Sequence, residues 1–174
     1  MNDLNGSKVM RPFLVVLIVM LVFCLTFYIL TFFIKDKEPA PAPDIIGAQA
    51  DGSLYSLSEN FGKQGVALIF FELEHRHSQD AMGNIIPKAK ELGVRTVAVC
   101  VSDFSIEDAQ AKIKELNLPA PDVLLFDVDS KMAQTYNVDP APCSYFIDTN
   151  GMLRDAYPGP ISAKSAESEL KEIA

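Results

Sequence analysis

The stretch that decides the fold is GVALIFFELEHRHSQDAMGNIIPKAKELGVRTVAVCV, residues 65–101. Its first nine residues, 65–73, form a continuous apolar run that is short enough for a strand buried on both faces. Residues 79–93 then repeat apolar side chains at helical spacing and end in a glycine, and residues 94–101 form a second apolar run. The stretch therefore predicts a right-handed strand–helix–strand unit with parallel strands.

Further elements of both kinds follow this unit along the chain. We predict a helix that begins at a capping box of Ser105 and Asp108, and a closing hairpin whose strands meet in a type I′ turn at Asn150 and Gly151. The predicted elements are a helix (105–117), a strand (122–127), a short helix (130–137), the hairpin (143–157) and a last helix (162–174). The order β-α-β-α-β-α-β-β-α, with only the last hairpin antiparallel, indicates an α/β or α+β sandwich rather than a doubly wound sheet.

An uncharged apolar segment precedes the domain. Residues 12–34 are 23 residues without a charged side chain, and a helix of that length spans the ~30 Å hydrocarbon core of a bilayer. The segment is longer than the core of a cleaved signal peptide, so we expect an uncleaved single-pass transmembrane anchor. It follows a short tail (1–11) and leads through a proline-rich linker (35–44) to the domain (45–174), and the short tail favours an N-inside orientation.

Charge and cysteine content restrict the possible partners and chemistry. Residues 39–174 carry 11 Lys and Arg against 20 Asp and Glu, a net charge near −9, which would repel a phosphate backbone and makes nucleic acid an unexpected partner. The chain has three cysteines: Cys24 in the apolar segment, Cys100 in a predicted buried strand, and Cys143. No CxxC motif and no disulfide framework is present in the sequence.

Two longer motifs carry a resemblance to a known family. The segments PDIIGAQADGSLYSLSENFGKQGVALIFF (43–71) and YNVDPAPCSYFIDTNG (136–151) resemble membrane-anchored extracytoplasmic thioredoxin-like proteins of the TlpA, ResA and redoxin (AhpC-TSA) group. The resemblance covers roughly residues 43–174. It implies a thioredoxin-like α/β fold with a mixed central sheet flanked by helices, an extracytoplasmic domain, and the family's cis-proline at Pro142.

The same resemblance places the family's catalytic dithiol on two residues that are not cysteines. When FFELEHRHSQDAM (70–82) is set against the family motif, the first cysteine falls on His75 and the second on Ser78. The resemblance therefore implies a degenerate site without dithiol exchange, because that cycle needs a thiolate and a second, resolving thiol. From the residues themselves we expect Ser78 to cap the following helix, with His75 and His77 in extended chain before it.

Three hypotheses about function remain open at this point. The first is a binding or accessory role with a protein partner in envelope protein or respiratory-complex maturation. The second is copper or zinc handling through His75, His77 and Cys143, with Glu72 or Glu74 as a further oxygen ligand. The third is a single-cysteine thiol oxidoreductase in which a helix terminus favours the Cys143 thiolate. Whether the chain is an enzyme is thus undecided by the sequence, since surface histidines and a packed cysteine would give the same pattern.

Overall fold

A computed structural model describes residues 15–26, 39–49 and 51–174. The chain divides into two units, Met1–Glu38 and Pro39–Ala174. In the first unit, residues 15–26 belong to helix α1 and expose their apolar side chains. Within the described ranges, none of the helices has the length and apolar character needed to cross a bilayer. The remainder of the predicted anchor, the tail before it and the first part of the predicted linker lie outside those ranges.

The second unit is built on a six-stranded sheet of order β1-β8-β7-β4-β5-β6 and a two-stranded sheet, β2-β3. Among the described residues, three α-helices and a short 3₁₀ helix (Leu57–Asn60) connect strands, and a fourth α-helix follows the last strand. The strands are β1 (Ala40–Pro41), β2 (Ile46–Ala48), β3 (Leu54–Ser56), β4 (Val66–Phe71), β5 (Arg95–Cys100), β6 (Val123–Phe126), β7 (Cys143–Ile147) and β8 (Met152–Pro158). The helices are α2 (Arg76–Leu92), α3 (Ile106–Glu115), α4 (Lys131–Thr135) and α5 (Ala163–Ile173).

The strand–helix–strand unit predicted from residues 65–101 is confirmed. β4 and β5 pair in parallel from Val66 opposite Arg95 to Phe71 opposite Cys100, and α2 connects them. All six residues of β4 are buried, as expected for a central strand that is covered on both faces. Because the two strands run in the same direction, the loops that follow them lie at the same end of the sheet. These carboxyl ends of β4 and β5 carry the candidate site.

Antiparallel pairing is more extensive than predicted. β7 pairs antiparallel with the central strand β4 as well as with β8, and β1 pairs antiparallel with β8. The prediction that limited antiparallel pairing to the hairpin was therefore wrong. The physical reason is the length of α4, which has five residues and rises only about 7.5 Å. α4 alone does not carry the chain back along the length of β6, and the residues after it lead to Cys143 opposite Phe70, at the carboxyl end of β4, from which β7 runs back.

The turn of the closing hairpin also differs from the predicted type I′. The Gly151 N–H donates to the Asp148 carbonyl at 2.9 Å, which makes Thr149 and Asn150 the central residues of the turn. Among residues 148–151 only Gly151 has a positive φ, at 78°, whereas a type I′ turn needs positive φ at both central positions. Gly151 is the last residue of the turn, and it is the residue that takes the left-handed conformation.

Over Ala156–Pro158, the edge of β8 that faces away from β7 has no free backbone N–H group. The Gly159 N–H donates to the Pro142 carbonyl at 2.7 Å, so by the antiparallel alternation the N–H of Ala156 points away from β7. That N–H donates to the carboxylate of Asp155 at 2.7 Å. Pro158, the next outward position, has no N–H to donate.

The sheet separates two apolar cores. Ala67, Ile69 and Phe71 of β4 pack on one face with α2, α3 and α5, and Leu68 and Phe70 pack on the other with α4 and the β2–β3 hairpin. We call these the α2 face and the α4 face. The two cysteines of this unit lie on opposite faces: Cys100 belongs to the α2 face and Cys143 to the α4 face. Both are buried free thiols.

Candidate functional site at the ends of β4 and β5

The helix after β4 begins earlier than the sequence indicated. The residue at its N-cap is His75, and the His75 carbonyl accepts the N–H groups of Ser78 at 2.9 Å and Gln79 at 3.3 Å. Ser78 therefore lies in the first turn of α2, and the prediction that Ser78 caps the helix was wrong. His77 is helical for the same reason, so the prediction that both histidines precede the helix in extended chain was also wrong.

Ser78 instead fixes the loop between β4 and α2, which we call the β4–α2 loop (residues 72–75). Its side chain is completely buried, and its Oγ accepts the backbone N–H of Glu72 at 3.1 Å. The N–H of Leu73 donates to Ser102 Oγ at 2.9 Å, and Gln79 Nε2 donates to the Leu73 carbonyl at 3.0 Å. These hydrogen bonds supply partners for backbone groups that leave the sheet at the end of β4, and they tie the loop to both α2 and the segment after β5.

The two histidines are exposed at the start of α2. Their ring centroids are 5.4 Å apart and the ring planes meet at 75°, an edge-to-face arrangement. Arg76 lies between them in the sequence and is also exposed. At the place where the resemblance puts a dithiol, the loop and the helix start thus offer imidazole, guanidinium and carboxylate groups to solvent and no thiol.

The segment before β7 holds the other predicted site residues. The peptide bond between Ala141 and Pro142 is cis. Cys143 follows at the start of β7 with only 5% of its surface exposed, and its Sγ donates to the Pro140 carbonyl at 3.5 Å. Burial raises the pKa of the Cys143 thiol, although hydrogen bonds from Gly159 and Tyr145 act in the opposite direction. The protonated thiol is therefore the favoured form, which does not suit a nucleophile.

Cys143 and the histidines do not form one cluster. In the part of the chain that the structure describes, no group of three or more His, Cys, Asp and Glu side chains is arranged to hold a metal ion. The reason lies in the sheet, because Cys143 points to the α4 face while α2, which carries His77, packs on the opposite face. The predicted set of His75, His77 and Cys143 is not assembled.

A cleft of about 300 Å³ lies beside the β4–α2 loop. It is lined by residues from the ends of β4 and β5: Glu72, Glu74, Val101, Ser102, Asp103 and Phe104. The sequence pattern indicated the two glutamates but not the residues after β5. The parallel pairing of β4 and β5 was the signal that could have found them, since ligands of parallel sheets bind at the carboxyl ends of neighbouring strands.

Comparison with known proteins identifies the family. The sequence profile of the AhpC/TSA family matches residues 39–156. The chain belongs to the AhpC/TSA family. Among curated relatives of this AhpC/TSA-family chain, a thiol-disulfide oxidoreductase ResA from Bacillus cereus is 27% identical over 165 residues, which cover 90% of this chain and 93% of the relative. A ResA from Geobacillus kaustophilus is 27% identical over 135 residues, covering 76% of this chain and 75% of the relative.

Solved structures confirm the thioredoxin-like α/β fold of this AhpC/TSA-family chain, with its mixed central sheet and flanking helices. A thiol:disulfide interchange protein of the thioredoxin family from Chlorobium tepidum superposes with a TM-score of 0.65 at 19% identity, covering 79% of this chain and 98% of that chain. The pneumococcal exposed lipoprotein thioredoxin Etrx1 from Streptococcus pneumoniae superposes with a TM-score of 0.62 at 25% identity, covering 75% and 99%.

Proposed function

We propose that this AhpC/TSA-family chain is a thioredoxin-like binding protein that has lost the dithiol and acts as an accessory factor for a protein partner in the cell envelope, in protein or respiratory-complex maturation. The relatives are named thiol-disulfide oxidoreductases, which defines the chemistry that this chain would have lost. The observation that carries the proposal is Ser78. It stands where the family motif has its second cysteine, and its buried hydroxyl accepts the Glu72 N–H.

The remaining thiols of the domain are poor substitutes for a dithiol. Cys100 and Cys143 are buried on opposite faces of the sheet, and burial raises the pKa of each thiol. A thiol–disulfide exchange cycle needs an accessible thiolate and a second thiol within reach of it. Neither condition is supported, which leaves binding as the function that the site can perform without covalent chemistry.

We assign the partner to the surface at the carboxyl ends of β4 and β5, where the β4–α2 loop and the cleft lie. Hydrogen bonds to Ser78 and Ser102 tie the β4–α2 loop to α2 and to the segment after β5, beside the cleft. A surface that is ordered before binding loses less conformational entropy when a partner docks. The net charge near −9 of residues 39–174 favours a partner with a basic surface, because complementary charge accelerates association.

The proposal also includes the cellular location. The uncharged run of residues 12–34 supports a single-pass anchor, and the proline-rich linker would hold the domain away from the membrane on the extracytoplasmic side. Arginines in place of Leu21 and Leu25, which lie close to the middle of residues 12–34, would each cost about 2.5–3.5 kcal/mol of insertion free energy. We expect the wild-type chain to stay in the membrane pellet after alkaline carbonate extraction and the double variant to be released. Release of the wild type would contradict the anchor.

Insulin reduction with dithiothreitol tests the loss of dithiol chemistry. We expect the wild-type chain to leave the rate at the uncatalysed level. The matched control is the double variant His75→Cys, Ser78→Cys, which restores a CxxC at the position that the family motif assigns to it. Because the fold around this position is intact, we expect the control to accelerate insulin reduction above the wild type.

The assay distinguishes an outcome that refutes the proposal from one that supports it. Turnover by the wild type that is abolished in Cys143→Ser would refute the proposal, because it would show that Cys143 is a working redox centre. An inactive wild type beside an active CxxC variant supports it, since that pair of results separates the missing thiols from a defect in the fold.

A further inference from the structure

We propose that His75 and His77 form a two-histidine site for a first-row divalent metal ion, with zinc or copper as the best matches. This inference does not depend on the proposed binding function. These are the only two histidines in the 174-residue chain, and both lie at the start of α2. Imidazole nitrogen is a ligand that suits Zn²⁺, Cu²⁺ and Ni²⁺, whereas Mg²⁺ and Ca²⁺ prefer oxygen.

The spacing of the rings fits two ligands of one ion. A Zn–N bond is about 2.0–2.1 Å and a ring nitrogen lies ~1.1 Å from the ring centre, so two imidazoles on a tetrahedral ion have centroids about 5.2 Å apart. The centroids of His75 and His77 are 5.4 Å apart. Both side chains are exposed, so they can rotate to aim one nitrogen of each ring at a shared ion without disturbing the core.

The backbone holds the pair in this arrangement. His75 is the N-cap of α2 but its side chain makes no capping hydrogen bond, so the imidazole is available to a ligand. His77 is fixed in the first helical turn, because the following residue, Ser78, is buried and bonded to Glu72. The structure thus offers one free imidazole on each of two positions that the helix start keeps close together.

Electrostatic terms act in both directions at this place. The positive end of the α2 dipole and the Arg76 guanidinium both disfavour a cation at this exposed position. The exposed carboxylate of Glu74, next to His75, and the net charge of −8 on the chain attract cations. Metal–nitrogen bonding then has only a small electrostatic cost to overcome.

Two protein ligands leave the rest of the coordination sphere open. The described residues supply no cluster of three or more metal-binding side chains, so water would fill the other positions. Catalytic zinc sites keep an open position, whereas structural zinc sites are closed by four protein ligands. With two protein ligands, the site would hold its ion more weakly than a closed structural site.

Titration of the full-length protein, without a histidine tag and in detergent, tests the inference with Zn²⁺ alone as the probe. We expect one equivalent to bind and to shift the ring resonances of both histidines in the NMR spectrum, where only two imidazoles contribute. His75→Ala and His77→Ala should each weaken binding by more than tenfold, because loss of a ligand exceeds the ~10–100-fold effect of losing an outer-shell partner.

The matched control is Arg76→Ala, which removes the charge between the two ligands and keeps both of them. We expect it to bind Zn²⁺ at least as tightly as the wild type. Binding that stays within twofold of the wild type in both histidine variants, or ring resonances that do not move at one equivalent, would overturn the inference and assign any bound zinc to surface carboxylates. None of these variants removes a buried side chain, so circular dichroism should show unchanged folding.

Discussion

Ser78→Ala is the substitution that most directly tests how the β4–α2 loop is held. The change removes the buried Oγ that accepts the Glu72 N–H at 3.1 Å and leaves that partly buried donor without a partner. A buried group without its hydrogen bond costs about 1–3 kcal/mol. Alanine favours a helix interior over serine by about 0.5 kcal/mol, which offsets part of that cost. The expected net loss is about 0.5–2.5 kcal/mol of unfolding free energy.

Urea denaturation of residues 39–174, which form a compact unit of their own, measures this loss. With a slope of roughly 1–3 kcal/mol per molar urea, a loss near 1.5 kcal/mol lowers the midpoint by about 0.5–1.5 M. Hydrogen exchange gives the local readout, since the Glu72 amide should lose protection while amides in the middle of β4 keep theirs. Ser78→Cys should lie between alanine and wild type, because sulfur is a weaker acceptor than a hydroxyl.

The control is Ser168→Ala on the exposed side of α5, where the structure gives the serine side chain no hydrogen bond. It shares the change in helix propensity and removes no buried contact, so we expect it to be neutral or slightly stabilising. If Ser78→Ala matches this control in midpoint and the Glu72 amide remains protected, the hydrogen bond does not hold the loop and our reading of Ser78 is wrong.

Three further predictions follow from described contacts. At pH 8, iodoacetamide should modify Cys143 far more slowly in the native protein than in urea, because burial raises the pKa of its thiol. Mass spectrometry measures both rates, and equal rates would contradict the prediction. Burial alone would raise the pKa of the Asp148 carboxyl, but the N–H donors around it and Arg154 lower this pKa below its usual value. The ionised carboxyl therefore stabilises the fold fully above pH ~4, and this stabilisation is lost as the pH falls through the lowered pKa. Asp148→Asn should therefore cost about 1.5–3 kcal/mol at pH 7, and the difference in urea midpoint should shrink below pH 4; a constant difference would exclude the ionised form as the cause. Gly65→Ala would place a Cβ 2.0 Å from the Ile173 carbonyl oxygen and should cost about 1–3 kcal/mol in the same denaturation assay, whereas an unchanged midpoint would show that the C-terminal end of α5 shifts freely.

The strength of the apolar patterns explains which parts of the fold could be predicted from the sequence. β4, α2 and β5 are long enough to show their periodicity, and parallel pairing follows from the helix between them. The antiparallel pairing of β7 with β4 is a non-local property that depends on how far a five-residue helix can carry the chain. No local pattern of residues contains that distance.

The candidate site was predictable in position but not in detail. The pattern of residues 70–82 located the site at the carboxyl end of the first buried strand, and it identified the residues that stand in place of the dithiol. Serine is a common N-cap, yet here the helix begins at Arg76 and the Ser78 side chain turns inward to the Glu72 N–H. Likewise, Cys143 follows Pro142 in the sequence, but the alternation of β7 directs its thiol to the α4 face. Side-chain direction depends on where an element starts, and that boundary is the least certain part of a sequence-based prediction.

The outer edge of β8 has a consequence for how other proteins can meet this domain. An edge strand with free N–H groups is a template on which another chain can add a strand. Here the Ala156 donor is occupied by the Asp155 carboxylate, and Pro158 has none to offer. An incoming strand would find no donor along Ala156–Pro158 and would meet the negative charge of Asp155. Strand addition is therefore disfavoured along this part of β8, so a partner that meets it would contact side chains rather than extend the sheet.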